Sequence, residues 1–582
     1  MRTRWPAPAP GLGARPADIT VPAESPPGHW ERVATHYPQP LSPMHRSIWL
    51  PLINASFKDT SDEFGMLAHV EQREIGGWVY MRLTPLGGKD LPAPPAWLLP
   101  LLIRVVPPLR SRIQQCVAAI RSDKPGRYVE RWRNEWLPEL TVRIGALRAV
   151  ELRALGDVAL DEHLAGVIAL LKEGFDIHLL LHSAHALMLG ELAFACRDLL
   201  GWDDRQTFDL LAGLSGKSTE PARRLAELAR IARERPAVRH LLERVEGDTA
   251  DRLAGVDGEF AAAFAAYQRE YGCRALRYEF ADLTLAETPA LILGLIRDQI
   301  LREYDPAGEA AALEQQRAAA VERARAALAG RSDTDRARFE RALARAEQAY
   351  PLREENEFYT VSAPFALVRY ALLELGRRLA ERGTLARRDD VFWLDLEEAR
   401  TALHTGGERR ALVARRQAER AWVERHPGPV AYGAAPGPLP ALNAFPSEVR
   451  FAFEALLWSA EQIFASARSG QAQAAGAALR GIGAAPGRYT GPARVIMSEA
   501  EFGKIQAGDV LVCPITSPVW SVLFPSVGGL VTDTGGILSH SAIIAREYRI
   551  PAVVATANAT RLLRDGQIVT VDGDAGLVEM QQ

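Results

Sequence analysis

The stretch "TDTGGILSHSAIIARE", residues 532–547, sets a histidine behind two glycines and a serine and ahead of a helix-like run. "GLVTDTGG" reads as a strand ending in a glycine turn, and "SHSAIIARE" as a helix start with Ser539 at the N-cap and His540 in the first turn. Free N–H groups and the positive dipole end at such a start attract anions. The same field disfavours imidazolium, so the ring is expected to be neutral and nucleophilic near neutral pH. Gly535 and Gly536 would let a polyphosphate approach the backbone, and Thr534 and Ser539 would offer it hydroxyl donors. Together these residues suit a histidine that takes up a phosphoryl group and passes it on. The blander reading is a glycine turn followed by a histidine that caps a helix.

Two other patterns invite a chemical reading and lose it on spacing. "GLSGKST" (213–219) ends like a phosphate-binding loop, but the pattern needs glycine at 211 and finds Leu211. It also follows a helical pattern rather than a strand. His178, His182 and His185 can share a helix face as zinc ligands do, yet no H-E-x-x-H accompanies them. Core or cleft-lining roles are expected for all three, and no metal site.

Elements that could position His540 follow from the rest of the chain. Its 582 residues are enough for about two to four domains. Residues 1–27 are Pro- and Ala-rich and read as a disordered leader. Around 28–90 the pattern is mixed, with "GGWVYMRL" (76–83) alternating like a strand, and from about 110 to 425 helical spacing dominates. Residues 308–348 are the most polar helical part, with a charged face expected in solvent. "HPGPVAYGAAPGPLP" (426–440) reads as a connection and 466–479 as a flexible linker. If extended, the fourteen residues of that linker would reach at most about 45 Å. After it, short β runs ("GPARVIM", "DVLVC", "GLVTDT", "AVVA", "QIVTVDG") mark 480–582 as a compact α/β domain. The expected fold is therefore multidomain: a mostly α-helical region over 28–465, then a C-terminal α/β domain that swivels on its linker.

Charge excludes some functions. With 69 basic and 72 acidic residues, neither a nucleic-acid footprint nor a membrane-surface patch is expected. Four scattered cysteines support neither disulfides nor a zinc knuckle, and no apolar run is long enough to span a bilayer. The expected location is the cytoplasm.

Residues 509–554 closely resemble the mobile phosphohistidine domain of phosphoenolpyruvate-utilising enzymes, whose pattern T-G-G-x-x-S-H-x-A-I-x-A-R-E-x-x-I-P-A-V is met at essentially every position. "GIGAAPGRYTGPARVI" (481–496) resembles that domain's opening and "DGQIVTVDGDAGLV" (565–578) its close. Ser541 stands where alanine is common. Ala555 and Ala557 stand where glycine is usual, which predicts a local backbone change away from the nucleophile. The resemblance implies that His540 is the phosphorylated residue.

Because only 42 residues follow His540, the domain order resembles rifampicin phosphotransferases, in which a helical substrate-binding domain precedes the histidine domain. "HYPQPLSPMHRSIW" (36–49), "YGCRALRYEFADLTLAETP" (271–289) and residues 371–400 resemble parts of that substrate domain. The family's R-E-Y-P-K motif appears as "REENE" (353–357), with Glu357 replacing the lysine. The resemblance implies an acceptor site at Arg353 and Glu354. The guanidinium would neutralise phosphate charge, and the carboxylate would take a proton from an attacking hydroxyl. An exposed charge cluster is the alternative. Arg274 is a candidate for substrate binding or for a structural ion pair.

The family's ATP-grasp domain has no counterpart in the 27 residues before the matching region. The expectation is a phosphotransferase component with no tightly bound cofactor. ATP and Mg²⁺ would come through a stand-alone ATP-grasp partner, and a hydroxyl of an antibiotic-like or biosynthetic small molecule would accept the phosphoryl group. A phosphohistidine carrier with a decayed acceptor site and a ligand-sequestering protein are the rival readings.

Overall fold

The computed structural model describes residues 26–581 except 35, 89–93, 96, 301–305, 436–441 and 465–477. The leader expected over 1–27 and the linker expected over 466–479 thus lie almost wholly outside the described residues. The chain forms two compact units. One comprises Met1–Leu180, Arg277–Asp282 and Tyr359–Ala452, the other Leu181–Leu276, Leu283–Phe358 and Phe453–Gln582. No helix among the described residues is long and apolar enough to cross a membrane.

In the first unit, strands β1 (Trp30–Arg32), β2 (Ala68–Ile75), β3 (Trp78–Pro85) and β4 (Ala431–Tyr432) form an antiparallel sheet in the order β2-β3-β1-β4. Gly76 and Gly77, with φ of 59° and 87°, make the two-residue turn between β2 and β3, a conformation glycine adopts without strain. The Pro/Gly-rich stretch read as a plain connection supplies β4, because Tyr432 packs its ring 4.9 Å from that of Tyr80. Helices Pro43–Phe64 and Ala363–Glu381 enclose an aromatic core in which Trp49 and Phe365 meet edge to face at 4.9 Å.

The second unit holds the expected α/β domain. Its strands are β5 (Ala478–Arg480), β6 (Ile482–Ala485), β7 (Arg488–Val495), β8 (Asp509–Cys513), β9 (Val527–Thr532), β10 (Ala552–Val554), β11 (Ile568–Asp572) and β12 (Leu577–Met580). They lie in the order β5-β12-β11-β7-β8-β9-β10-β6. β7, β8, β9 and β10 run parallel as neighbours, and the flanking strands pair antiparallel. β8 and β10, "DVLVC" and "AVV", are nearly continuous apolar runs buried on both faces. The polar segment read as one solvated helical stretch is two helices, Pro306–Leu328 and Asp333–Ala349. Their alanine and leucine stripes are buried, while Arg325 and Glu340 pair at 2.8 Å on the partly exposed side.

The two alanines that stand where glycine is usual lie in left-handed backbone. Ala555 and Ala557 have φ of 57° and 68°, the left-handed values that glycine would supply. The neighbouring ladder holds them there: Thr556 N–H donates to the Thr532 carbonyl at 3.0 Å and Ala557 N–H to the Asp533 carbonyl at 2.8 Å. The loop's partners are thus the residues that open the glycine turn.

An alanine held left-handed costs about 1 kcal/mol or more, only partly offset by its lower unfolded-state entropy. Ala555→Gly and Ala557→Gly should each stabilise the protein by roughly 0.5 kcal/mol. Denaturant unfolding checks this, and a lower midpoint in both variants would refute it.

Candidate functional site

β9 and β10 are parallel neighbours, and the chain passes between them through the turn 533–539 and the helix His540–Glu547. His540 therefore stands at the carboxyl end of the parallel strands, where α/β sheets commonly present ligands to a helix N-terminus. Ser539 is the N-cap, its Oγ accepting from Ala542 N–H at 3.4 Å and donating to the Gly536 carbonyl at 2.7 Å. Ser541 is accommodated by a 2.7 Å hydrogen bond to the Thr516 hydroxyl.

The two glycines serve different needs. Gly535 has φ of 113°, which a side chain would strain. A Cβ on Gly536 would lie 2.2 Å from the Gln462 carbonyl oxygen, which also accepts from Leu538 N–H at 2.8 Å. The end of the helix Ser447–Phe464 thus rests on the turn. Thr534 donates its hydroxyl to the Pro514 carbonyl at 3.1 Å. In this conformation the hydroxyls of Thr534 and Ser539 brace the loop itself.

His540 meets Glu354. Nδ1 and Glu354 Oε2 are 2.7 Å apart, with both side chains about nine-tenths buried. A carboxylate only accepts, so Nδ1 carries the proton and the lone pair is on Nε2. Nε2 is buried and has no hydrogen-bond partner among the described residues. Glu354 therefore defines which ring nitrogen of His540 offers a lone pair.

Glu354 belongs to the short helix Leu352–Glu357, which carries "REENE". Asn356 braces that helix by donating to the carbonyls of Leu352 and Arg353. Arg353 Nε lies 3.9 Å from Glu354 Oε1 with its side chain largely buried, so the exposed-cluster alternative does not describe this pair. Glu357 is also buried. Arg274 stacks its guanidinium over the Phe358 ring at 4.6 Å, directly beyond the motif, rather than joining Glu354.

His185 belongs to the same neighbourhood, and its position in sequence hinted only at a shared helix face. It is fully buried on the helix Asp157–Leu200, and burial together with the Arg353 guanidinium holds its pKa well below the usual histidine value. Burial first, and the nearby positive charge second, keep this imidazole neutral.

If Glu354 sets the tautomer, a small histidine-directed donor such as phosphoramidate should modify wild-type His540 at Nε2. In Glu354→Ala the Nδ1 isomer should appear as a substantial fraction. NMR of the phosphorylated protein distinguishes the isomers. Nδ1 modification of the wild type would contradict the assignment.

Residues 505–576 match the PEP-utilising enzyme mobile domain, and residues 182–354 the rifampicin phosphotransferase fourth domain. A chondramide synthase of Chondromyces crocatus is 29% identical over 568 residues, covering 95% of this chain and 14% of the synthase. A rifampicin phosphotransferase of a Streptomyces species is 31% identical over 371 residues, 62% of this chain and 40% of that protein. An uncharacterised phosphotransferase of Bacillus subtilis is 30% identical over 399 residues, 67% of this chain and 45% of that protein. The chain thus spans less than half the length of each of these relatives. The chain thus carries a match to the PEP-utilising enzyme mobile domain and one to the rifampicin phosphotransferase fourth domain.

Proposed function

We propose that the chain carries a phosphoryl group on His540 Nε2 and delivers it to a hydroxyl of a small molecule. The observation that carries this reading is the buried His540–Glu354 pair at a helix N-terminus, with Nε2 left as the available lone pair. In the charging step Nε2 attacks a phosphorus of ATP; a P–O bond breaks and the nucleotide leaves with the electron pair. ATP and Mg²⁺ are held by a separate ATP-grasp protein, and the α/β domain moves between that site and the acceptor. In the delivery step the acceptor oxygen attacks the phosphorus and the P–Nε2 bond breaks. Nε2 keeps the electron pair, and the hydroxyl proton passes to Glu354. Arg353 balances charge on the transferring group. Thr534 and Ser539, freed from their internal bonds, hold the phosphoryl oxygens beside Gly535 and Gly536, and Arg274 lines the acceptor site.

The acceptor class is a hydroxylated natural product or its biosynthetic intermediate. Relatives named for rifampicin support the first, and an alignment of nearly the whole chain with part of a chondramide synthase supports the second. Burial of Glu357 where the family has lysine favours one rival, a phosphohistidine carrier that turns nothing over.

The test combines the chain, a candidate ATP-grasp partner, ATP with Mg²⁺, and a panel of hydroxylated compounds. Wild type should form acid-labile phosphohistidine only with the partner present and should then phosphorylate an acceptor. His540→Gln should abolish transfer without unfolding the protein. Labelling without any turnover across the panel would favour the carrier.

Arg353→Ala should leave charging intact and slow delivery by roughly a hundredfold, the usual cost of removing a charge-stabilising donor. Single-turnover transfer from pre-phosphorylated protein measures this. An unchanged rate would remove Arg353 from the delivery step.

A further inference from the structure

The turn "GLSG" (213–216), which fails as a nucleotide loop, has an occupant. The carboxylate of Glu547, seven residues beyond His540 at the other end of the same helix, accepts from Ser215 N–H at 3.3 Å, beside the Gly213 backbone. Gly213 permits this with φ of 76°, and the turn is pinned from behind by Arg317, which donates to the Ala212 carbonyl at 2.8 Å. Glu547 is buried. Between the two ends, Arg546 donates to the Tyr350 hydroxyl at 3.4 Å. One helix therefore touches the helical part of the unit along its length, through His540 on Glu354, Arg546 on Tyr350 and Glu547 in the 213–215 turn.

We propose that Glu547 is a positioning residue: its carboxyl group, seated in the 213–215 turn, holds the His540 helix in register with Glu354. Seating also takes up a proton. The positioning role rests on the phosphotransfer reading only in saying what the register is for. The seat itself is read from the contacts.

The proton follows from burial. In water the Glu547 carboxyl would titrate near its ordinary 4.5, whereas burial in the seat pushes it up to about 7. The opposing influences are the backbone at Ser215 and Gly213, Arg546 on its own helix and Arg317 on the helix Pro306–Leu328. Tyr350, at the end of the helix Asp333–Ala349, also faces it. A group that binds its proton more tightly when seated favours the seated state most at low pH. That preference is lost as pH rises through about 7. Seating should weaken about tenfold between pH 6 and pH 8.5.

Hydrogen exchange on the full chain tests this without any phosphoryl donor or acceptor. With intrinsic rates corrected for pH, peptides covering the 213–215 turn and the His540 helix should open about tenfold more readily at pH 8.5 than at pH 6. Glu547→Gln, which cannot ionise, should abolish that dependence. Phosphoramidate labelling of His540 should be unchanged in this variant, while delivery to an acceptor should lose its pH dependence above neutrality. Wild-type exchange that does not vary with pH overturns the proposal, and this arm decides alone if the variant fails to fold. A full pH response in Glu547→Gln also overturns it, assigning the proton to another group. The seat and the phosphotransfer reading are separable, because His540→Gln removes transfer but should keep the pH-dependent exchange.

Discussion

A single 2.7 Å hydrogen bond, from His540 Nδ1 to the Glu354 carboxylate, determines which ring nitrogen of His540 offers a lone pair. An imidazole has two nitrogens that differ only in which one holds the proton, and a helix N-terminus alone does not choose between them. The acceptor-only carboxylate makes that choice, and burial then makes it count. With water excluded from the pair, Nδ1 has one available partner and Nε2 has none among the described residues. The glycine turn, the capping serine and the short "REENE" helix all serve to bring these two side chains within that distance.

Backbone approach accounts for much of the surrounding sequence. Gly536 is small because the Gln462 carbonyl occupies the space a Cβ would need, and Gly535 is glycine because its φ requires it. Ala555 and Ala557 show the opposite case, in which the ladder at Thr532 and Asp533 imposes a glycine-like conformation on residues that resist it. Local strain at these alanines is outweighed by hydrogen bonds that the adjoining strand offers already in place.

Charge is distributed around the site with the same economy. His185 is kept neutral by burial beside Arg353, so that guanidinium is not opposed by a second cation. Glu547, at the far end of the nucleophile's helix, is buried against backbone donors and two arginines, yet desolvation prevails. The helix thus ends in two carboxyl contacts of different character. One, at Glu354, is made by its first residue; the other, made by its last residue, is with a turn that supplies only N–H groups.

The strand, glycine turn, N-cap and first-turn histidine were legible in sequence, because each depends on residues within one turn of its neighbours. The family pattern and the order of its parts were legible for the same reason. Arg353 and Glu354 could be paired with His540 only through a resemblance: 186 residues separate Glu354 from the histidine it bonds. The placing of His185 beside Arg353 and the seat of Glu547 at 213–215 had no local signature. Whether a histidine is buried beside an arginine, or a carboxylate meets a turn 332 residues away, is settled by packing of distant segments. Short-range sequence determined which groups could do chemistry. Only the tertiary structure decided which of them meet, because burial and hydrogen-bond partnership arise when the core closes.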